Sequence, residues 1–167
     1  MLEYEQNLVN DLRFSNTGGR NKSGQCYTVI ARGFSVPKLV ACMLYETYSQ
    51  TSHEQFNRTC SPYLIFVLNF DEVDFKALEL NLQWLEAYDK RPERHPIKIT
   101  MMSAKDLTKR QDLYLKGGVF VVTYKQLVLD LLCKKVSPLI ITGLIINQAH
   151  NCQSTCKETF LATIIRK

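Results

Sequence analysis

The residues of this chain whose types and spacing best suit a chemical role are the polar group Asn147-Gln148-Ala149-His150, which directly follows an apolar run. That run, residues 139–146, is short and rich in β-branched side chains, without polar alternation. Such a pattern predicts a strand that is buried on both faces in the middle of a parallel sheet. Because open parallel sheets bind their ligands at the carboxyl ends of the strands, the sequence predicts a ligand site at residues 147–150.

The residue types in this group limit the chemistry that the site can perform. Nucleotide-driven helicases carry Asp-Glu-Ala-His at this position, where Asp holds the magnesium ion and Glu handles the attacking water. Here Asn147 and Gln148 replace both carboxylates by amides of the same shape. An amide binds a hard cation less well and cannot accept a proton, so we predict a box that has lost its ATPase chemistry.

A second segment has the order of a phosphate loop without its residues. A predicted strand leads through Arg32-Gly33 to Lys38 and a predicted helix, the geometry in which backbone amides cradle phosphate. A working loop needs a second glycine and a hydroxyl residue after the lysine, but this chain has Pro37 and then Leu39. Lys38 is therefore either a remaining phosphate contact or an ordinary solvated lysine. Losing these ligands would remove most of the roughly 8 kcal/mol of a micromolar complex, so we expect no useful binding of ATP or magnesium.

The elements that must position these residues follow an alternating order. With 167 residues, 46% of them hydrophobic, the chain suits one globular domain. Its fold class is predicted to be α/β, an open, mostly parallel sheet with helices on both faces. Polar segments near 15–25 and 49–61 are predicted surface insertions. The predicted strands are 26–31, 62–69, 97–101, 119–122 and 139–146, and the predicted helices are 2–14, 39–48, 71–89, 104–115, 126–133 and 154–165. In helix 71–89 the apolar residues Val73, Ala77, Leu80, Trp84 and Tyr88 share one side.

The net charge indicates the kind of partner, and the cysteine content indicates the compartment. The net charge of +5 favours a polyanion. A basic loop at 90–98, together with Lys105, Lys109, Arg110 and Lys116, is either a surface that tracks phosphates or an ordinary solvated face. Six irregularly spaced cysteines favour a reducing compartment. No apolar run approaches the roughly 20 residues of a membrane span, so we expect no membrane association.

One group of residues could either bind a metal ion or pack in the core. His150, Cys152 and Cys156 lie close together and offer three zinc ligands, but their spacing fits no familiar zinc finger. Cysteine is among the most buried residue types, so packing is the preferred interpretation and we expect no bound zinc.

Several segments together resemble one protein family. They occur in the family's order across nearly the whole chain and are similar to the N-terminal helicase-like region of the XPF family of structure-specific DNA repair endonucleases. The segments are Leu2-Glu3-Tyr4-Glu5 with Leu8-Val9, Ala31-Arg32-Gly33, Gly117-Gly118-Val119-Phe120, Leu139-Ile140 with Thr142-Gly143, and Ala149-His150.

The resemblance implies the first RecA-like lobe of a degenerate superfamily 2 helicase. The family's full-length protein is a nuclear, heterodimeric endonuclease with a small non-catalytic partner subunit and a divalent metal in its nuclease domain. It cuts double-stranded DNA near single-strand junctions in nucleotide excision repair, crosslink repair and recombination. The helicase-like region binds DNA and docks nuclease scaffold proteins. By position, Arg32 and Lys38 mark the inactive phosphate loop, while Asn69 and Thr123-Tyr124-Lys125 fall at loops that touch the DNA backbone in related helicases.

The chain also departs from the family. It ends before the second helicase-like lobe and lacks the Glu-Arg-Lys plus Asp nuclease signature; Glu93-Arg94-His95 has no lysine. We therefore predict that residues 1–167 are a piece of a longer protein that by itself cuts nothing, and whose partner subunit binds elsewhere. Two alternatives stay open: a nucleotide-dependent helicase with a non-standard phosphate loop, and a lobe that binds only protein.

Overall fold

A computed structural model describes residues 33–54, 63–88, 97–102, 109–149 and 157–165, together with Asn7, Thr28 and Ile30. Asn7 is helical, as predicted for residues 2–14, whereas Thr28 and Ile30 have no regular structure within the strand predicted at 26–31. The rest of these two elements and the insertion near 15–25 lie outside the described residues. The helices are α1 (Val36–Glu54), α2 (Glu72–Tyr88), α3 (Arg110–Lys116), α4 (Tyr124–Leu132) and α5 (Lys157–Ile165).

Four parallel strands form the described sheet. They are β1 (Leu64–Leu68), β2 (Ile99–Met101), β3 (Gly118–Val122) and β4 (Gly143–Ile146), in the order β2-β3-β1-β4. The two central strands pair in register from Leu64 with Gly118 to Leu68 with Val122. Since every described pair is parallel, all four strands have their carboxyl ends at one edge of the sheet. We call this edge the carboxyl edge.

Alternate residues of the central strands enter two separate cores, which explains their continuous apolar sequence. Ile65 and Val67 pack in the first core with α1 and α2. Phe66 enters the second core, where it packs edge-on against Tyr114 of α3, while α4 contributes Leu127. Burying each such side chain contributes about 1.5–3 kcal/mol. Helices therefore cover both faces of a parallel sheet, which confirms the predicted fold class and is consistent with a RecA-like lobe.

Two boundaries differ from the prediction. Helix α1 continues to Glu54, so residues 49–54 are helical rather than the beginning of a surface insertion. Strand β4 begins only at Gly143, because Pro138 and the capping hydroxyl of Ser137 start a short 3₁₀ helix that takes in the first apolar residues of the run. Among the described strands β4 is the last in the order β2-β3-β1-β4, and its four residues are half-buried. The prediction that residues 139–146 form a fully buried strand was therefore wrong.

The apolar side predicted for α2 is not its core side. Val73, Leu80, Trp84 and Tyr88 are exposed, and the buried residues are Leu78, Leu82 and Leu85. Both sets recur at helical spacing, so periodicity predicts the helix without selecting the face that packs on the sheet.

Arg110 is not part of a basic surface. Its Nη1 lies 3.2 Å and 3.1 Å from the two carboxylate oxygens of Asp130 on α4, and both residues are buried. Tyr114 donates from its hydroxyl to Asp130 Oδ2 at 2.7 Å. Burial, followed by this hydrogen bond, raises the pKa of Tyr114 above its ordinary value of 10.0, so the phenol stays protonated as a donor. Lys98, Lys109 and Lys116 are exposed, and Lys105 lies outside the described residues.

Among the described helices, none has the length and apolarity required to cross a membrane.

Candidate functional site at the carboxyl edge of the sheet

Two asparagines connect the ends of β1 and β4. The Asn147 side-chain nitrogen Nδ2 donates to the main-chain oxygen of Asn69 at 3.3 Å. Asn69 Nδ2 donates in return to the main-chain oxygen of Asn147 at 3.1 Å. The backbone N–H of Asn147 donates to Leu68 O at 3.1 Å, extending the strand pairing by one step. We call this reciprocal pair the asparagine clamp.

The backbone turns sharply on either side of the clamp. Asn69 has φ 61° and Gln148 has φ 56°, both in the left-handed region. Asparagine tolerates this region better than most residues, because its short polar side chain bonds locally. Asn69 therefore ends β1 and also supplies a donor to β4, while the exposed Gln148 carries the chain away from the sheet.

The clamp determines what the position of Asn147 can do chemically. The side chain acts there as a donor to a carbonyl oxygen, a task that a carboxylate cannot perform because it only accepts. An aspartate in the same rotamer would face that carbonyl with a negative charge. The hydrogen bond from Asn147 to the Asn69 carbonyl therefore requires an amide at position 147, and an aspartate there could not form it.

The next strand along the carboxyl edge leads to Thr123, Tyr124 and Lys125. Thr123 caps α4: its Oγ1 accepts from Gln126 N at 3.3 Å, and Gln126 Oε1 accepts from Thr123 N at 3.0 Å. This capping box fixes where the helix begins. Lys125 is exposed in the first turn, Tyr124 is half-buried, and Thr123 is exposed. Because β3 neighbours β1, a surface lysine and a capped helix start lie one strand away from the clamp.

The turn before α1 leads into a capped helix start. Gly33 has φ 101°, which suits a glycine turn. Ser35 caps the helix: its Oγ accepts from Lys38 N at 3.4 Å, and its main-chain oxygen accepts from Leu39 N at 3.1 Å. Pro37 has no amide hydrogen. The first turn thus directs its amides to Ser35. Arg32 lies outside the described residues.

The sequence-predicted residues therefore divide into three groups. The structure brings Asn69, Asn147 and the segment 123–125 to the carboxyl edge, with Gln148 and the half-buried Ala149 immediately after it. Gly33 and Lys38 belong to the start of α1, which packs with α2 in the first core. His150 lies outside the described residues with Cys152 and Cys156, so the zinc alternative stays untested there. Within the described part of the chain, no group of three metal-binding side chains occurs.

Sequence reasoning missed the asparagine clamp and the buried pair of Arg110 with Asp130. A signal existed for the second, because Asp130 is a single acidic residue within the apolar stretch of α4. A lone charge on an apolar helix face predicts a buried partner. For the first, both asparagines directly follow an apolar strand, but neighbouring strand ends are known only once the strand order is known.

Comparison with known proteins gives similarity over the full chain. It is 28% identical over 167 residues, 100% of its length, to "DNA repair endonuclease XPF" of Cricetulus griseus and covers 15% of that protein. It is 27% identical over 153 residues, 83% of its length, to "DNA repair protein RAD1" of Saccharomyces cerevisiae, covering 14% of it. "DNA repair endonuclease UVH1" of Arabidopsis thaliana is 23% identical over 165 residues, with 99% of this chain and 15% of that protein covered. No protein-family model matches the chain.

Proposed function

We propose that this chain, which is similar over its full length to DNA repair endonucleases of the XPF family, forms a catalytically silent lobe that binds DNA and docks other proteins. The observation that carries the proposal is the asparagine clamp. At the strand end where a helicase would hold magnesium, the side chain of Asn147 is committed as a donor to the Asn69 carbonyl. We propose accordingly that the lobe uses neither ATP nor magnesium and has no enzymatic activity by itself.

The rest of the proposed role concerns a longer protein. The chain spans about 15% of the length of the curated relatives that it matches. We propose that residues 1–167 are the degenerate first helicase-like lobe of a nuclear XPF-like endonuclease acting in nucleotide excision repair, crosslink repair and recombination. Its nuclease centre with a divalent metal, and its contact with the small partner subunit, would then lie in regions outside this chain.

The proposed DNA surface is the carboxyl edge. Lys125 is exposed in the first turn of α4, where helix amides and a side-chain cation together favour a phosphate oxygen. Thr123 and Asn69 have polar groups at the ends of the two central strands. Contacts of this kind are to the DNA backbone, so binding should be weak and independent of sequence.

Removing Lys125 tests this surface. With about three to five phosphate contacts, the log-log salt slope of DNA affinity should lie near −2 to −5, and Lys125→Ala should flatten it by about one. The measurement is fluorescence anisotropy of a labelled splayed duplex between low and physiological salt.

The matched control is Lys116→Ala. Lys116 is also an exposed helical lysine, but it precedes β3 and so lies at the amino ends of the strands. It should leave the slope unchanged. Equal slopes for wild type, Lys125→Ala and Lys116→Ala would remove the carboxyl edge from the DNA interface. Absence of binding at low salt would leave only the protein-docking role.

A further inference from the structure

The side-chain amide of Gln126 connects three elements at the carboxyl edge. Its Oε1 accepts from the backbone N–H of Thr123 at 3.0 Å and from the Thr123 hydroxyl at 3.1 Å. Its Nε2 donates to the main-chain oxygen of Met102 at 3.4 Å. Met102 is buried and continues the pairing of β2 with β3, because its backbone N–H donates to Val121 O at 2.9 Å. One half-buried side chain therefore joins the end of β2, the end of β3 and the first turn of α4.

This arrangement uses both polar atoms of the amide. A capping box needs only the acceptor, which a glutamate supplies equally well. The bond to Met102 needs a donor, which an ionised carboxylate lacks, and an apolar side chain of the same length makes neither bond. Among side chains of this length, glutamine alone can close the box and also reach the neighbouring strand end. Gln126 is therefore suited to more than the capping of α4.

The proposed phosphate contact, Lys125, directly precedes Gln126 in the chain. The backbone N–H of Gln126 donates to Thr123 Oγ1 at 3.3 Å, so the turn at 123–126 is closed from both of its ends. The bond to Met102 holds this closed turn against the sheet. A helix start without such partners has unsatisfied amides and frays. A lysine on a fixed backbone loses less conformational freedom when it binds a phosphate, which favours binding.

We propose that Gln126 is the positioning residue of the DNA surface: its bonds to Thr123 and Met102 hold the backbone from which Lys125 reaches a phosphate of DNA. Gln126 itself does not touch the DNA, since its amide is committed to these two residues. This inference rests on the DNA half of the proposed function and deepens it. It states which contact prepares the carboxyl edge for a phosphate before DNA arrives.

Gln126→Met is the variant that tests this role. Methionine is a good helix former of similar length, and it has neither an amide nor a charge. In fluorescence anisotropy of the labelled splayed duplex, the variant should bind about three- to tenfold more weakly than the wild type at low salt. Its log-log salt slope should be flatter by up to about one, because one phosphate contact is weakened.

A double-mutant cycle with Lys125→Ala separates positioning from a general loss of stability. If Gln126 acts through Lys125, then Gln126→Met should change DNA affinity by less than about twofold once residue 125 is alanine. A residue that only stabilises the fold would instead lower the affinity of both backgrounds by the same factor.

The matched control is Ser137→Ala. Ser137 also caps a helical turn, since its Oγ accepts from Leu139 N at 3.3 Å, but it precedes β4 and so lies at the amino ends of the strands. Both Ser137→Ala and Gln126→Met remove a cap and should lower the midpoint of urea unfolding by comparable amounts. Ser137→Ala should leave DNA affinity and salt slope unchanged.

Three results would overturn the proposal. They are wild-type affinity and slope in Gln126→Met, an equal loss from Gln126→Met with and without Lys125, and a loss from Ser137→Ala as large as that from Gln126→Met. Failure of the proposed DNA surface looks different, because Lys125→Ala itself would then leave the slope unchanged. That result would remove the surface and this inference with it.

Discussion

Asp130→Ala is expected to destabilise the protein by about 3–5 kcal/mol, the largest stability effect of any single substitution that we predict. The carboxylate accepts from Arg110 Nη1 at 3.1 Å and from the Tyr114 hydroxyl at 2.7 Å, in the second core. Removing one partner of a buried ion pair leaves the other charge in an apolar environment, which costs more than the pair itself contributes. The loss should appear as a lower midpoint of urea unfolding with an unchanged m-value.

Two comparisons make this prediction specific. Asp112→Ala removes an exposed carboxylate from the first turn of α3 and should cost about 0.3–1 kcal/mol at most. Replacing all three buried polar partners, Arg110→Met and Asp130→Leu with Tyr114→Phe, should recover most of the stability, since an apolar cluster of similar volume needs no hydrogen bonds. A loss below about 1 kcal/mol for Asp130→Ala would mean that the Arg110 guanidinium reaches solvent.

Mg-ATP is expected to bind with a dissociation constant above about 100 µM, because most of the roughly 8 kcal/mol of a micromolar complex depends on groups that this chain has replaced. Asn147 and Gln148 offer no carboxylate, Leu39 offers no metal hydroxyl, and the amide of Lys38 is directed to Ser35. Isothermal titration calorimetry measures this directly. A dissociation constant of a few micromolar would favour the alternative of a nucleotide-dependent enzyme.

Restoring both carboxylates should not restore activity. In Asn147→Asp with Gln148→Glu, the turn at 33–38 is unchanged, and the carboxylate introduced at position 147 faces the Asn69 carbonyl without a proton to donate. Losing that hydrogen bond should cost about 0.5–1.5 kcal/mol of stability. Asn69→Gly is the control, because it removes the other hydrogen bond of the clamp, introduces no charge, and suits the left-handed backbone at position 69. Measurable ATP hydrolysis by the double variant would contradict our description of the clamp.

The sequence predicted the buried strands of the sheet because burial on both faces gives a strand a continuous apolar sequence. The residues 64–68 are apolar without alternation, and each successive side chain does enter an opposite core. Helix α2 shows where this reasoning ends. It has apolar residues at helical spacing on both sides, and only the position of the sheet decides that Leu82 is buried and Trp84 exposed.

The sequence predicted which residues lie at the carboxyl ends of the strands, but it did not predict the hydrogen bonds between them. Asn69, Lys125 and Asn147 follow strands, and parallel strands bring such residues to one edge. That the two asparagines bond to each other depends on β4 pairing with β1, a long-range fact that no local pattern contains. The same holds for Arg110, which counts as one more surface cation until α3 and α4 are placed together.

Our central proposal is that the lobe binds DNA but does not bind ATP. The most direct test is to measure DNA affinity with and without Mg-ATP. Fluorescence anisotropy of the splayed duplex should give superimposable isotherms in the presence of Mg-ATP, of Mg-ADP and of magnesium alone, all at one ionic strength. A working helicase lobe couples the two ligands, and reciprocal coupling of about 1–3 kcal/mol would move the DNA dissociation constant about 5–150-fold. Superimposable isotherms with a salt slope near −2 to −5 are the result that we predict. A shift of about tenfold or more that depends on the nucleotide would contradict it.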